Sequence, residues 1–198
     1  IWILNVGDIK PIEYQTELFL DMAWNIEEVN KEGVSAHLSN FLCREFGEKV
    51  GRELLPVMQE HYCLAHIRKP EFMGNTRTYD KRHEQIADLP WSTEEINERL
   101  EQFKKLSDRV EKLYATVPSN RKEAYFEMIQ YPVQASNEMN KKMLYAQFAR
   151  HTPSDSASLW KKSDAAYDSI VSLTRQFNSL LDGKWNHIIS TAPRGLPV

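Results

Sequence analysis

The first six residues, Ile1-Trp2-Ile3-Leu4-Asn5-Val6, read as a β-strand with nothing else in the sequence to pair with. A short, largely apolar, β-branched run closed by Gly7 has the pattern of a strand buried in a parallel sheet. The N–H and C=O groups of a strand need partners, and one strand is not stable by itself. No second convincing strand follows among the 198 residues. The expectation is therefore that this run belongs to a sheet whose other members lie outside the chain. On that reading the chain is an interior piece of a larger protein.

The rest of the sequence has helical spacing. Gly7-Asp8-Ile9-Lys10-Pro11 is a loop by composition. Pro11 suits a first helical turn, Glu13 and Glu17 complement the helix dipole, and Leu18, Phe19, Met22 and Ala23 supply an apolar face. The pattern breaks between Trp24 and Gly33. Ser35 is expected to cap a helix ended by Gly47. A longer helix over roughly 48–67 buries Val50, Leu54, Val57, Met58 and Leu64, with Pro56 kinking it or marking its start.

Residues 69–91 form a long, weakly periodic connection. Ser92-Thr93-Glu94-Glu95 is then a capping box, followed by a clear stripe of Ile96, Leu100, Phe103, Leu106, Val110, Leu113 and Val117. Asn120-Arg121-Lys122-Glu123 reads as a second box. Its helix carries Ala124, Met128 and Ile129, bends at Pro132, and runs on through Ala135, Met139, Met143 and Ala146. A last helix from near 154–156 carries Ile170, Leu173, Phe177 and Leu180, and an irregular tail holds Trp185, His187, Pro193 and Pro197. Long helices with short joins pack as antiparallel neighbours. The predicted fold is mainly α: a four- to five-helix antiparallel bundle preceded by one β-α unit.

Composition narrows the function. Hydrophobic residues make up 41%, enough for a core, and the formal net charge is -3, with basic and acidic residues interleaved. A nucleic-acid partner calls for a basic stripe, which is missing. No apolar run is long enough for a membrane-spanning helix, so no membrane partner is expected. Cys43 and Cys63 form no CxxC pair and read as small buried side chains, although a disulfide is possible in an exported protein.

Chemistry is sparse. His61 and His66, five apart, do not align for a metal, and the other histidines are isolated, so no metal or other cofactor is expected. Tyr125, Tyr131, Tyr145, Trp160 and Tyr167 could form a sugar platform, but aromatics on bundle helices are more often core. The loop at 7–13 is the most suggestive stretch, because α/β folds place working loops after buried strands. Its Asp8, Lys10 and Glu13 could hold a sugar; the plainer explanation is a loop ion pair and a helix-start Glu.

The run from Ile1 to Glu13, with Phe19-Leu20-Asp21-Met22-Ala23-Trp24-Asn25, resembles glycoside hydrolase family 115. So do Ile67-Arg68-Lys69-Pro70-Glu71, Tyr125 to Val133, Phe177-Asn178 and Leu181 to His187. The resemblance implies a parent enzyme that removes glucuronic acid, often 4-O-methylated, from xylan. It implies that residues 1–24 are the last strand and helix of a (β/α)8-like barrel and that 25–198 form the following helical domain. Asn5, Asp8 and Lys10 match the loop after that strand and are the expected sugar-side contacts or supports. No catalytic residue is assigned within the chain. The partner implied is glucuronoxylan, reached through the parent; a homodimer is open to that parent, and its substrate class implies that it is periplasmic or secreted. Two other readings compete: a free-standing helical scaffold or protein-interaction module, and a carbohydrate-binding module.

Overall fold

The computed structural model describes residues 1–7, 9–73 and 87–190. The helices are α1 (Glu13–Glu32), α2 (Val34–Phe46), α3 (Glu48–Ile67), α4 (Thr93–Tyr114), α5 (Lys122–Tyr125), α6 (Tyr131–His151) and α7 (Ser156–Gly183). No strand occurs among the described residues, and the molecule is a mainly α bundle. Residues 1–6 carry no regular structure, and Ile1, Trp2 and Ile3 stand exposed. The strand pattern there finds no strand partner among the described residues. Its backbone therefore lacks the pairing that would make it a strand.

Several joints differ from the sequence expectation. The break after Trp24 is a kink, with Asn25 at φ -151° and ψ 82° inside α1. Asn25 Oδ1 accepts the Glu28 N–H (3.2 Å) and its Nδ2 donates to Glu28 Oε2 (3.0 Å), so the helix is re-capped where it bends. Helix α2 starts at Val34 with Gly33, not Ser35, in the capping position. Gly33 and Gly47 have φ of +89° and +86°. That left-handed half of the map is open to glycine at little cost, so single residues turn α1 into α2 and α2 into α3.

Pro56 neither starts nor breaks α3. It sits on the exposed side, where the carbonyl it leaves unpaired can meet water. The first capping box forms as expected: Ser92 Oγ accepts the Glu95 N–H, and Glu95 Oε2 accepts the Ser92 N–H. The second does not. Residues 119–121 make a 3-10 turn, and no side chain caps α5. Ahead of Pro132 the chain widens into a π turn, Phe126–Gln130, in which the Tyr131 N–H donates to the Phe126 carbonyl. Most of the predicted 69–91 connection and the end of the tail lie outside the described residues; Pro70–Phe72 form a 3-10 turn.

Helix α6 packs on both α4 and α7, while α3 packs on α2 and α4. The main core joins Leu54, Phe103, Val110, Tyr125 and Val133. Tyr125 also donates its hydroxyl to the Val110 carbonyl at 2.8 Å. Because α6 is covered on two sides, its buried positions include Ser136, Asn137, Asn140 and Gln147; the expected Met139 and Met143 stripe is only half-buried. Buried amides need partners. Gln147 finds them in the Leu89 N–H and C=O (3.0 and 2.9 Å). No described helix is long and apolar enough to cross a membrane.

Candidate functional site

Lys10 is where the opening loop meets the bundle. Its Nζ lies 2.6 Å from Glu127 Oε1 and is also paired with Glu13 Oε1. Glu13 stands in the first turn of α1, and Glu127 in the π turn between α5 and α6. The same ammonium rests 4.7 Å from the ring centroid of Trp185, in the turns that follow α7. Three separate stretches of chain therefore close on one charge. The Lys10 side chain is 15% exposed and that of Glu127 8%, so the pair is largely removed from water.

The π turn that aims Glu127 is held from behind. Gln130 donates to Glu111 Oε2 on α4 at 2.6 Å. Phe126 packs with Phe177, Leu180, Tyr131 and Trp185, and the Tyr131 and Phe177 rings lie 4.8 Å apart. Such wide turns re-aim the side chains they carry, and they recur at functional positions.

Two carboxyl groups share one ammonium, and they do not ionise alike. Burial pushes the Glu127 carboxyl up to about 7; Glu13 beside it adds to the rise and Lys10 opposes it. Burial would raise Glu13 too, but its hydrogen bonds with Glu127 and Lys10 outweigh that and hold it below the usual carboxylate range. Burial would lower Lys10, and its two carboxylate partners raise it instead. At neutral pH Glu127 is consequently poised close to half protonation, while Lys10 stays charged.

Of the residues singled out from sequence, Lys10 and Glu13 come together as the loop ion pair. Asn5 is exposed, and its Oδ1 accepts the Gly7 N–H at 3.2 Å, which turns the chain. Asp8 lies outside the described residues. Glu127 and Trp185 were not read as site residues. The available signal was that both fall in stretches carrying the family resemblance.

Other candidates resolve into structure. Tyr125 is fully buried and Tyr131 packs in the core, while Lys162 covers Tyr145, Lys142 covers Tyr167 and Trp160 stands exposed, so Tyr125 and Tyr131 are core residues and offer no sugar platform. His61 is buried, which lowers its pKa to about 4 and keeps it neutral. Cys63 is exposed rather than buried, and both cysteines are free thiols. A grouping missed in the sequence is Glu17, Asp21 and His37, whose ligand atoms lie within 4.8 Å of one another. Glu17 and Asp21 share one face of α1 by their spacing of four, a signal that was available. There His37 Nε2 meets Asp21 Oδ2 (3.0 Å), while Arg44 donates to both Glu17 oxygens (2.8 and 2.6 Å) and supplies the positive charge a cation would bring.

The chain as a whole is similar to known proteins. The family described as Glycosyl hydrolase family 115 matches residues 1–72. A solved structure of a family GH115 4-O-methyl-alpha-glucuronidase, BtGH115A, described as having specificity for decorated arabinogalactans, is 58% identical with a TM-score of 0.93. The likeness covers 99% of this chain and 26% of that one, so the chain spans about a quarter of its relative's length. No curated protein matches. The likeness takes in both the opening loop and the helical body, and the chain belongs to glycoside hydrolase family 115.

Proposed function

We propose that this chain is the bundle-bearing part of an α-glucuronidase that releases (4-O-methyl)glucuronic acid from polysaccharide side branches. The observation that carries the reading is the likeness to a 4-O-methyl-alpha-glucuronidase over 99% of the chain. That relative's specificity for decorated arabinogalactans makes such polymers the favoured substrate. Glucuronoxylan, which the sequence resemblance implies, is the second.

The chain's own role is support. Glycoside hydrolysis uses two carboxyl groups roughly 5 to 9.5 Å apart with the sugar between them. Glu13 and Glu127 hydrogen-bond to each other and share Lys10 instead, in a buried junction. The acid and base therefore belong to other parts of the parent. Residues 1–24 are the last β-α unit of its barrel, and residues 25–198 are the bundle behind it. Exposed Ile1, Trp2, Ile3, Leu20 and Trp24 form the face that the remaining barrel covers. Asn5 and Asp8 are the proposed sugar-side residues of the sequence, and Lys10 is their support. The bundle's outer surface also serves pairing of two parent chains.

The test uses the full polypeptide that carries this chain, incubated with a glucuronic-acid-decorated arabinogalactan and, separately, with 4-O-methylglucuronoxylan. Chromatography should detect released uronic acid, more from the arabinogalactan, and none when this chain alone is supplied. Failure of the full polypeptide to release uronic acid from either polymer would overturn the reading. Sedimentation of the full polypeptide as a monomer would remove the pairing role.

A further inference from the structure

The geometry points to Glu127 and Trp185 as positioning residues for the glucuronidase reaction, which they serve by gripping Lys10 and thereby fixing the loop around residues 5–10 against the bundle. This rests on the reading above that the loop faces the sugar. Lys10 itself is poorly placed to touch substrate, because two carboxylates and an indole ring already surround its ammonium. What it can do is transmit position. Asn5, at the other end of the loop, is exposed, and its turn is set by its own hydrogen bond to Gly7. A second contact, Trp2 edge-on against Phe19 (6.0 Å), ties the start of the chain to α1 alone. Lys10 ties the loop to the bundle proper.

The grip is rigid on the bundle side. Glu127 sits on a π turn between the nearly buried Phe126 and Ile129, and Gln130 on the same turn is anchored to Glu111. Trp185 packs into the Phe126–Phe177–Leu180 cluster. A sugar-facing loop so held loses less freedom when substrate arrives, and small misplacements of such loops are costly.

The test again uses the full polypeptide, with hydrogen exchange of the peptides spanning residues 2–12 and steady-state kinetics on the released uronic acid. Glu127→Ala should speed exchange in that segment at least tenfold, leave α4 and α6 unchanged, and raise KM at least fivefold with a smaller effect on kcat. Glu127→Gln keeps an acceptor for Lys10 and should stay within threefold of the wild type in both readouts. A stability role alone would not separate the two variants this way. Unchanged exchange in the segment on Glu127→Ala, or equal losses for the Ala and Gln variants, would overturn the inference. Should Glu127→Ala unfold the bundle, Lys10→Met decides the matter from the loop side, with the same exchange and KM changes expected and unchanged values overturning it. If the wild type releases no uronic acid, the functional reading falls while the exchange result still judges the grip.

Discussion

Arg99 and Glu127 show how this bundle handles buried charge. Arg99 is 5% exposed, and its guanidinium is met by oxygen dipoles: Nε donates to Asn140 Oδ1 (2.6 Å), and the two terminal nitrogens to the carbonyls of Leu64 (3.1 Å) and Arg68 (2.8 Å). Those carbonyls close the end of α3, so a residue of α4 caps a neighbouring helix. Its planar face also lies over Phe103 and Trp91 (4.9 and 5.1 Å). Burial, with Arg68 nearby, lowers its pKa to about 10, which leaves it charged at neutral pH. Arg99→Ala strands the carbonyls and the Asn140 amide, and should lower stability by about 3 kcal/mol in urea unfolding of the chain. Glu127 makes a prediction in pH. Facing Lys10 and Glu13, it binds its proton more tightly in the folded state (about 7) than in the unfolded chain (4.5). Stability should therefore decline as pH rises from 4.5 to 7, and level off above that. Glu13, shifted the other way, acts only below that window. Glu127→Gln should flatten the decline in urea midpoints, and parallel wild-type and variant curves would contradict it.

At the scale of elements, spacing was informative where one helix face is apolar and the other wet. The α4 stripe and its capping box were legible for that reason, and Ser92→Ala should cost about 1 kcal/mol by the same unfolding measurement. It was less informative for α6, whose two covered sides leave no single stripe. Nothing local marks Asn140 or Gln147 as buried; their partners Arg99 and Leu89 are distant in sequence. The joints were readable in principle. Asn25 with Glu28 has the spacing of a cap, and Gly33 stands at a helix start, yet the stretch between them read as a break. The Lys10–Glu13 half of the candidate site is local and was visible, whereas the Glu127 and Trp185 half arises only from packing. The α2–α3 contact offers a sharper test. A Cβ on Gly51 would fall 2.5 Å from the Cys43 backbone nitrogen and 2.7 Å from the Leu42 carbonyl carbon. Gly→Ala within a helix ordinarily stabilises by roughly 0.5–1 kcal/mol. Here the backbone cannot yield cheaply, and Gly51→Ala should destabilise by about 2–3 kcal/mol.

For the molecule as a whole, the exposed apolar side chains gather in the first 26 residues: Ile1, Trp2, Ile3, Ile9, Leu20, Trp24 and Ile26. The opening sequence therefore does two jobs at once. Lys10 and Glu13 meet the bundle, and the apolar residues are left over for something else. Taken alone, the chain should bind a hydrophobic dye, and Trp2→Ser with Trp24→Ser should reduce the dye signal by at least half without changing the circular dichroism. Unchanged dye binding would show that these two indoles are not the uncovered surface. The contact of Lys10 with Trp185 has a further, architectural meaning. The segment that opens α1 and the turns that follow α7 meet at this contact, so the first and last described parts of the helical body adjoin. A body whose opening and closing elements sit side by side is clasped by its own ends, so loosening either one should loosen the other.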